Sequence, residues 1–254
     1  MAKIYNHIKV LIPSFIKSKV KDIIANEGKI IHSYAQSGED ILLKKYFNRK
    51  IWAGQTGFFV DVGAYHPKVF SNTYLFYQFG WRGINIDARP GSMKLFNDIR
   101  PEDINLEYAI SSKQETLKYF MSEKSDTINT FSREFIRKNN YEKKYTDTIE
   151  LKTETLVSIF DKYVPISQSI DFLTIDVEGF DEKVLRSNDW DKYRPEVVVV
   201  EIPGIDFEKV LAHPSARFLK KHRYYPFDRT ILYGNNNLGS IFFHDGLKEF
   251  YPRI

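Results

Sequence analysis

The sequence contains no cysteine. This absence excludes disulfide bonds, thiolate metal sites, iron–sulfur clusters and cysteine nucleophiles. It is compatible with a reducing compartment, and we expect the protein to be cytoplasmic. A run of 18 or more apolar residues is also missing, so no transmembrane helix is predicted.

No charge of one sign dominates the chain. The 37 lysine and arginine residues stand against 33 aspartate and glutamate residues, and no block of five or more like charges occurs. Proteins that bind nucleic acid usually concentrate their basic residues. We therefore expect no nucleic-acid partner. The 254 residues, among them 20 phenylalanines and 16 tyrosines, suffice for one large core.

The first 24 residues carry isoleucines and other apolar residues at helical spacing, with lysines among them and Pro13 as an interruption. We predict that residues 1–30 form a helical segment that docks on the core or on a partner subunit. The alternative is a basic amphipathic segment that touches a membrane surface. A signal peptide is not expected, because charges break the apolar run and no small-residue cleavage site follows.

From Gly57 onward, short apolar runs alternate with helical patterns, which is typical of a doubly wound α/β sheet. We predict one domain over residues 31–254, with a mostly parallel sheet and a C-terminal antiparallel strand pair. The predicted strands are 57–62, 83–87, 104–110, 170–175, 196–202, 224–227 and 240–244, the last two joined by a turn at 234–239. The predicted helices are 71–79, 92–99, 154–163 and 207–221.

Residues 111–148 are polar and aromatic and lack strong periodicity. We predict an insertion with a short strand near 117–121 and a helix near 133–145. Such segments often form the substrate side of a pocket, and the stretch 129–131 is our candidate for contact with a substrate.

Acidic residues end four of the five predicted parallel strands. Ligands of open α/β sheets bind beyond the carboxyl ends of the strands. Because an unpaired buried carboxylate is costly, we expect these side chains to face a polar cleft. The acids are Asp61, Asp87, Asp176 with Glu178, and Glu201.

The loop after the first strand has a single glycine, Gly63, where dinucleotide-binding proteins have three. A pyrophosphate has little room there, which disfavours a nucleotide-dependent oxidoreductase or epimerase. Asp87 follows Gly63 by 24 residues, and an acid at roughly this interval accepts the ribose hydroxyls of an adenosine-containing cofactor. The pattern therefore favours an adenosyl cofactor without phosphates.

The sequence resembles the FkbM family of methyltransferases from about Ser33 to Glu201. The resemblance is carried by segments that occur in the same order along the chain: Ser33-Tyr34-Ala35-Gln36-Ser37-Gly38-Glu39-Asp40, Gly57-Phe58-Phe59-Val60-Asp61-Val62-Gly63-Ala64-Tyr65-His66-Pro67, Ser71-Asn72-Thr73-Tyr74, Gly80-Trp81-Arg82-Gly83-Ile84-Asn85-Ile86-Asp87 and Asp171-Phe172-Leu173-Thr174-Ile175-Asp176-Val177-Glu178-Gly179.

This resemblance implies a class I methyltransferase (Rossmann-type) fold and S-adenosyl-L-methionine as the methyl donor. It also implies O-methylation of a sugar, nucleotide sugar, glycan precursor or other small metabolite, often in bacterial surface-polysaccharide biosynthesis. By position, the implied cofactor-binding residues are Gln36, Glu39, Asp61, Gly63, Asp87 and Asp176. Asp87 would bind the ribose, and Gln36 and Glu39 would cap the cofactor.

A hydroxyl acceptor must lose its proton during methyl transfer, which calls for a general base. His66 is the first candidate, because it follows the first strand and its ordinary pKa lies near neutrality; the alternative is that it caps the following helix or bonds a backbone carbonyl. Asp176 and Glu178 are the other candidates. A divalent metal held by Asp176, Glu178 and Glu201 is a second arrangement, although no defined metal motif is present and we do not expect a metal to be essential.

Four alternatives remain open. In three of them the acceptor is a non-sugar metabolite, a nitrogen atom or a lipid-linked glycan, and in the fourth the chain is a non-catalytic scaffold that keeps the fold. A nucleic-acid amino-methyltransferase would need Asn/Asp-Pro-Pro-Tyr/Phe where this chain has 176–179.

Overall fold

A seven-stranded sheet forms the centre of the protein in the computed structural model, which describes residues 32–122, 126–204, 206–231 and 239–249. The strand order is β3-β2-β1-β7-β8-β10-β9. The first five strands pair in parallel, and β10 and β9 are antiparallel. The prediction of a doubly wound, mostly parallel sheet with a C-terminal antiparallel pair is confirmed. These strands are β1 (Phe58–Val62), β2 (Arg82–Asp87), β3 (Ile104–Glu107), β7 (Phe172–Ile175), β8 (Val197–Glu201), β9 (Tyr224–Arg229) and β10 (Ser240–Asp245).

The central strands are continuous apolar runs because both faces of the sheet are covered. All five residues of β1 are buried. Neighbouring residues point to opposite faces: Val60 packs in one core cluster and Phe59 in the other. The valines of β8 divide in the same way, with Val198 in the first cluster and Val199 in the second.

Helices cover both faces, and their bounds differ in places from the predictions. They are α1 (Glu39–Tyr46), α2 (Asn48–Trp52), α3 (Tyr74–Gln78), α4 (Met93–Ile99), α5 (Arg133–Lys138), α6 (Leu156–Tyr163), α7 (Asp181–Leu185), α8 (Phe207–Ala212) and α9 (Pro214–Lys221). The predicted helix 207–221 is broken because Pro214 starts a new helix, which His213 caps through its side chain. The predicted helices 71–79 and 133–145 are each shorter, and 3₁₀ turns lie at Asp126–Ile128 and Glu142–Lys144.

A second, three-stranded sheet has the order β4-β6-β5, with β4 (Ala109–Ile110), β5 (Thr116–Met121) and β6 (Asp147–Glu154). The prediction of one strand over 104–110 is wrong, because the chain leaves the large sheet at Tyr108 and continues into the small one. Strand β6 was not predicted; it pairs antiparallel with β5 and parallel with β4.

The chain reverses its winding direction at β1. Strand β2 pairs with one edge of β1, and β7, much later in sequence, pairs with the other edge. Loops that leave neighbouring strands in opposite directions open a crevice at the carboxyl ends of those strands. The site described next lies there.

The predictions for residues 1–30 and for most of the turn at 234–239 lie outside the described residues. Within the described ranges, no helix has both the length and the apolar character needed to cross a membrane.

Candidate functional site

A cavity of about 270 Å³ lies at the carboxyl ends of β1, β2, β7 and β8. The large sheet contributes Gly63, Asp87, Asp176 and Glu201 to its wall, all of which were predicted at strand ends. The small sheet and the chain around α5 form the opposite wall. That wall includes Tyr119, Asn129, Thr130, Phe131, Phe135, Asn139 and Tyr141. The stretch 129–131, predicted to contact a substrate, therefore lines the cavity.

Gly63 allows two loops at the base of the cavity to touch. Its φ is +84°, and a Cβ atom built on it would lie 1.8 Å from the carbonyl oxygen of Asp176. Its amide and that of Ala64 both donate to the carbonyl of Ile86, at 2.9 and 3.1 Å. Only glycine fits this position, and its first effect is to bring the ends of β1, β2 and β7 together.

Asp87 is held at the end of β2 by backbone donors on both of its carboxylate oxygens. The amide of Tyr65 donates to one at 2.9 Å, and the amide of Arg89 donates to the other at 2.8 Å. These bonds fix the direction of the carboxylate at the cavity wall. Beside it the wall includes Arg89 and the largely apolar group Ile86, Ala88, Tyr108 and Ile110.

Gln36 and Glu39 line the cavity; Gln36 precedes α1, and Glu39 is its first residue. Glu39 is 4% exposed. One of its carboxylate oxygens accepts from the Thr230 hydroxyl at 2.5 Å, and the other accepts from the Ser37 amide at 2.8 Å. Glu39 thus links the start of α1 to Thr230, the residue that follows β9.

Asp61 does not line the cavity. Its carboxylate lies buried beneath it and accepts from the Thr73 hydroxyl at 2.9 Å, and the same hydroxyl accepts from the Arg100 guanidinium at 3.0 Å. Burial raises the pKa of Asp61 to about 6, against the opposing effect of Arg100. The geometry gives this residue a supporting place behind the strand ends rather than one at the ligand.

His66 also lies outside the cavity lining. Its Nδ1 accepts from the amides of Lys68 and Val69, both at 3.0 Å, so the imidazole caps the turn that follows it. Partial burial, followed by the positive charges of Arg89 and Lys68, lowers the pKa of His66. A general-base role for this residue remains a prediction.

Four carboxyl groups lie near the ends of β7 and β8, and burial, followed by nearby negative charges, raises the pKa of each. For Asp176, which faces the cavity, burial and then the charge of Glu39 raise the pKa to about 6. Burial, then Asp176 and Asp181, raise the pKa of Glu178 to about 9. Burial and then Asp176 raise the pKa of Asp181 to about 7. The pKa of Glu201 is raised strongly by burial and then by Asp176 and the other nearby carboxylates. We call these four residues the carboxyl cluster.

In the described part of the chain, no member of the carboxyl cluster forms an ion pair. The same residues include no group of three or more histidine, aspartate or glutamate side chains arranged to hold a metal ion. The set Asp176, Glu178 and Glu201, predicted as the alternative metal ligands, does not form such a group.

The cavity wall also carries a polar and an aromatic group of side chains. Asn72 lies at the wall and donates to the Thr174 hydroxyl at 2.9 Å. The ring of Phe131, from the predicted stretch 129–131, lies 4.6 Å from that of Tyr119 and 5.4 Å from that of Phe180, two lining residues that were not predicted. Alternating polar and apolar residues at 148–153 were a signal for the small sheet that presents some of these side chains.

The family model of the FkbM methyltransferase domain matches residues 61–226. Among curated proteins, none matches the sequence significantly.

Similar solved structures include a precorrin-6y C5,15-methyltransferase of Geobacter metallireducens, at 12% identity and a TM-score of 0.39, covering 81% of this chain and 87% of that one. Another is a 1,6-didemethyltoxoflavin-N1-methyltransferase of Burkholderia thailandensis with bound S-adenosylhomocysteine, at 11% identity and a TM-score of 0.41, covering 92% and 91%. An O-methyltransferase of Bacillus cereus, also in complex with S-adenosylhomocysteine, matches at 11% identity and a TM-score of 0.36, covering 93% and 94%.

Proposed function

Because the chain belongs to the FkbM family of methyltransferases, we propose that it transfers a methyl group from S-adenosylmethionine to a hydroxyl group of a sugar, nucleotide sugar or glycan precursor. The observation that carries the proposal is the cavity at the switch point of the sheet, with Asp87 on one side and Asp176, Glu178 and Glu201 of the carboxyl cluster on the other. We further propose that the reaction takes place in the cytoplasm and belongs to bacterial surface-polysaccharide biosynthesis.

The residues present fit a phosphate-free adenosyl cofactor. Asp87 would accept the ribose hydroxyls, because its carboxylate is already oriented by two backbone amides. The apolar wall formed by Ile86, Ala88, Tyr108 and Ile110 suits a purine. Gln36 and Glu39 would close the cofactor side, and Gly63 keeps the floor free of a side chain. Asp61 would act from below, through the loop that it supports.

When bound, S-adenosylmethionine supplies an electrophilic methyl group on a positively charged sulfur. The carboxyl cluster suits that charge, since carboxylates without an ion-pair partner are stabilised by a nearby cation. The acceptor hydroxyl must give up its proton, and Asp176 is our first candidate to receive it. Its pKa of about 6 leaves it ionised at neutral pH and close to the value at which general bases work best.

Glu178 has a different role in the proposal. With a pKa of about 9, its carboxyl group holds a proton at neutral pH in the absence of ligands. A protonated carboxyl both donates and accepts hydrogen bonds, so Glu178 can orient an acceptor hydroxyl toward Asp176. The neighbouring rings of Tyr119 and Phe131 offer apolar faces to the C–H surface of a sugar ring. His66 stays a secondary candidate for the base.

Three further proposals concern the N-terminal segment, the acceptor and metal ions. The N-terminal segment 1–24 makes weak contact with a membrane surface or docks on a second subunit. The acceptor, if it is not a sugar, is another small metabolite. No metal ion is essential for the reaction.

Two measurements test the proposed function. Calorimetric titration with S-adenosylmethionine should show binding, and no binding by folded protein would leave the scaffold hypothesis in its place. A screen with donor labelled in the methyl group, run against simple glycosides, nucleotide sugars and non-sugar alcohols, should give a labelled methyl ether of a sugar. Label found only in an amine or a non-sugar product would contradict the proposed acceptor.

A further inference from the structure

The turn that carries Glu178 has an unusual backbone. Glu178 has φ +53° and Gly179 has φ +80°, so two consecutive residues lie in the left-handed region. Such a conformation is unfavourable for a residue with a side chain and persists only where the surroundings fix it. Two contacts from the opposite wall of the cavity fix it here.

One contact comes from the opposite wall of the cavity. The Thr130 hydroxyl donates to the backbone carbonyl of Glu178 at 2.7 Å, and it accepts from the Ser132 amide at 2.8 Å. Thr130 is 1% exposed. Its own backbone forms a two-way bridge with Phe120 of β5, at 2.9 and 3.1 Å. The hydroxyl therefore joins the small sheet to the turn.

A second contact lies beside it. A Cβ atom on Gly179 would lie 3.1 Å from the Cβ of Phe135, so the backbone of the turn rests directly on α5. The ring of Phe180, the next residue, lies 5.4 Å from the ring of Phe131. Within the turn, the Asp181 carboxylate accepts from the Val177 amide at 3.3 Å. The turn is thus braced from the side on which we expect the acceptor to bind.

We propose that Thr130 is a positioning residue for Glu178: its hydroxyl holds the left-handed turn so that the Glu178 carboxyl stays among the other carboxyl groups of the cavity. The small sheet thereby takes part in the chemistry without supplying a proton-transfer group. Contact of an acceptor with residues 129–131 acts on the same segment that fixes Glu178.

The test measures where the Glu178 carboxyl resides. The groups that face it are Asp176 and Asp181, Glu201 and Tyr145, all of which are acidic. If the turn relaxes and the carboxyl leaves them, its pKa must fall toward the ordinary value, because both burial and like charges are reduced. NMR titration of the full-length protein with ¹³C-labelled glutamate carboxyls reports this directly, and Glu178→Gln assigns the resonance.

Thr130→Val keeps the shape of the side chain and removes the hydroxyl, whereas Thr130→Ser keeps the hydroxyl and is the matched control. We expect the titration midpoint of Glu178 to fall by about one pH unit or more in the valine variant and to stay near the wild-type value in the serine variant. Thermal unfolding of both variants shows how far stability alone has changed. Should the valine variant not fold, Thr130→Ala serves instead, because a water molecule can reach the Ser132 amide.

An unchanged midpoint in folded Thr130→Val or Thr130→Ala, or an equal shift in Thr130→Ser, would overturn the proposal. An ordinary midpoint in the wild-type protein would also overturn it, since Glu178 would then not be held in the cluster. The proposal rests on the proposed function only in assigning Glu178 to the acceptor. The titration needs neither donor nor acceptor, so its failure is distinguishable from a failure of S-adenosylmethionine binding.

Discussion

The ribose role of Asp87 is open to a sharp test by substitution. Alanine is a poor choice, because it also removes the acceptors of the Tyr65 and Arg89 amides and so releases the loop. Asp87→Asn keeps one oxygen for the backbone and removes the charge. Hydrogen bonds to a charged group contribute about 1.5–3 kcal/mol each. We expect the substitution to lose part of the free energy of two such bonds to the ribose, roughly 2–3 kcal/mol. This loss lowers the affinity for S-adenosylmethionine by about 30- to 150-fold.

Isothermal titration calorimetry at neutral pH measures this loss. Asp98→Asn is the matched control, since Asp98 is exposed on α4 and does not line the cavity; its affinity should stay within about twofold of the wild type. The Asp87→Ala variant should bind no better than Asp87→Asn. Unchanged affinity in a folded Asp87→Asn protein would remove Asp87 from the ribose site and with it the main argument for the orientation of the cofactor.

Three other predictions concern the strand ends and the metal. Deprotonated Asp176 is the active form, so kcat/KM should rise as pH increases through about 6 and level off above it. The Asp176→Asn variant should lose most of the rate. If Asp176→Asn kept the pH profile of the wild type, Asp176 would be excluded as the base. Gly63→Ala should lower the thermal midpoint by at least about 8 °C, because its Cβ would overlap the Asp176 carbonyl. Gly91→Ala, with φ +80° but no atom within 4 Å of the new Cβ, should lower it by only about 2–4 °C; equal effects would mean that the backbone conformation, not the contact, matters at Gly63. Methyl transfer should persist after incubation with EDTA, and its loss with recovery on adding Mg²⁺ would establish an essential metal.

The large sheet was predictable because its strands are buried on both faces. Continuous apolar runs such as that of β8 have one explanation in an α/β chain, and each ends in a residue that meets the crevice. The small sheet was not predictable in the same way. Its middle strand β6 has one buried residue, Thr153, among intermediate and exposed ones, so it buries too little to produce a strong apolar pattern. The break at Tyr108 depends on where that sheet lies, which local sequence does not encode.

Positions along a strand predicted which residues line the cavity where backbone geometry alone decides, as for Gly63 and Asp87. They did not predict that Asp61 and His66, which precede and follow the same glycine, lie outside the cavity lining. Side chains alternate along β1, so Asp61 points away from the floor of the crevice toward Thr73 and Arg100. His66 belongs to a loop, and its direction is set by the amides of the next turn. Neither direction follows from spacing.

The carboxyl cluster is costly for the protein without a ligand, and this cost indicates what the cavity is built to hold. Burial and nearby negative charges raise the pKa of all four acidic groups, which have no guanidinium or ammonium ion-pair partner among the described residues. A fold that needed only stability would place apolar residues at these strand ends. A positively charged ligand offsets the repulsion, whereas an anionic group placed in the same space would add to it. The cluster therefore favours the cationic donor at this end of the cavity and directs any phosphate of an acceptor away from it.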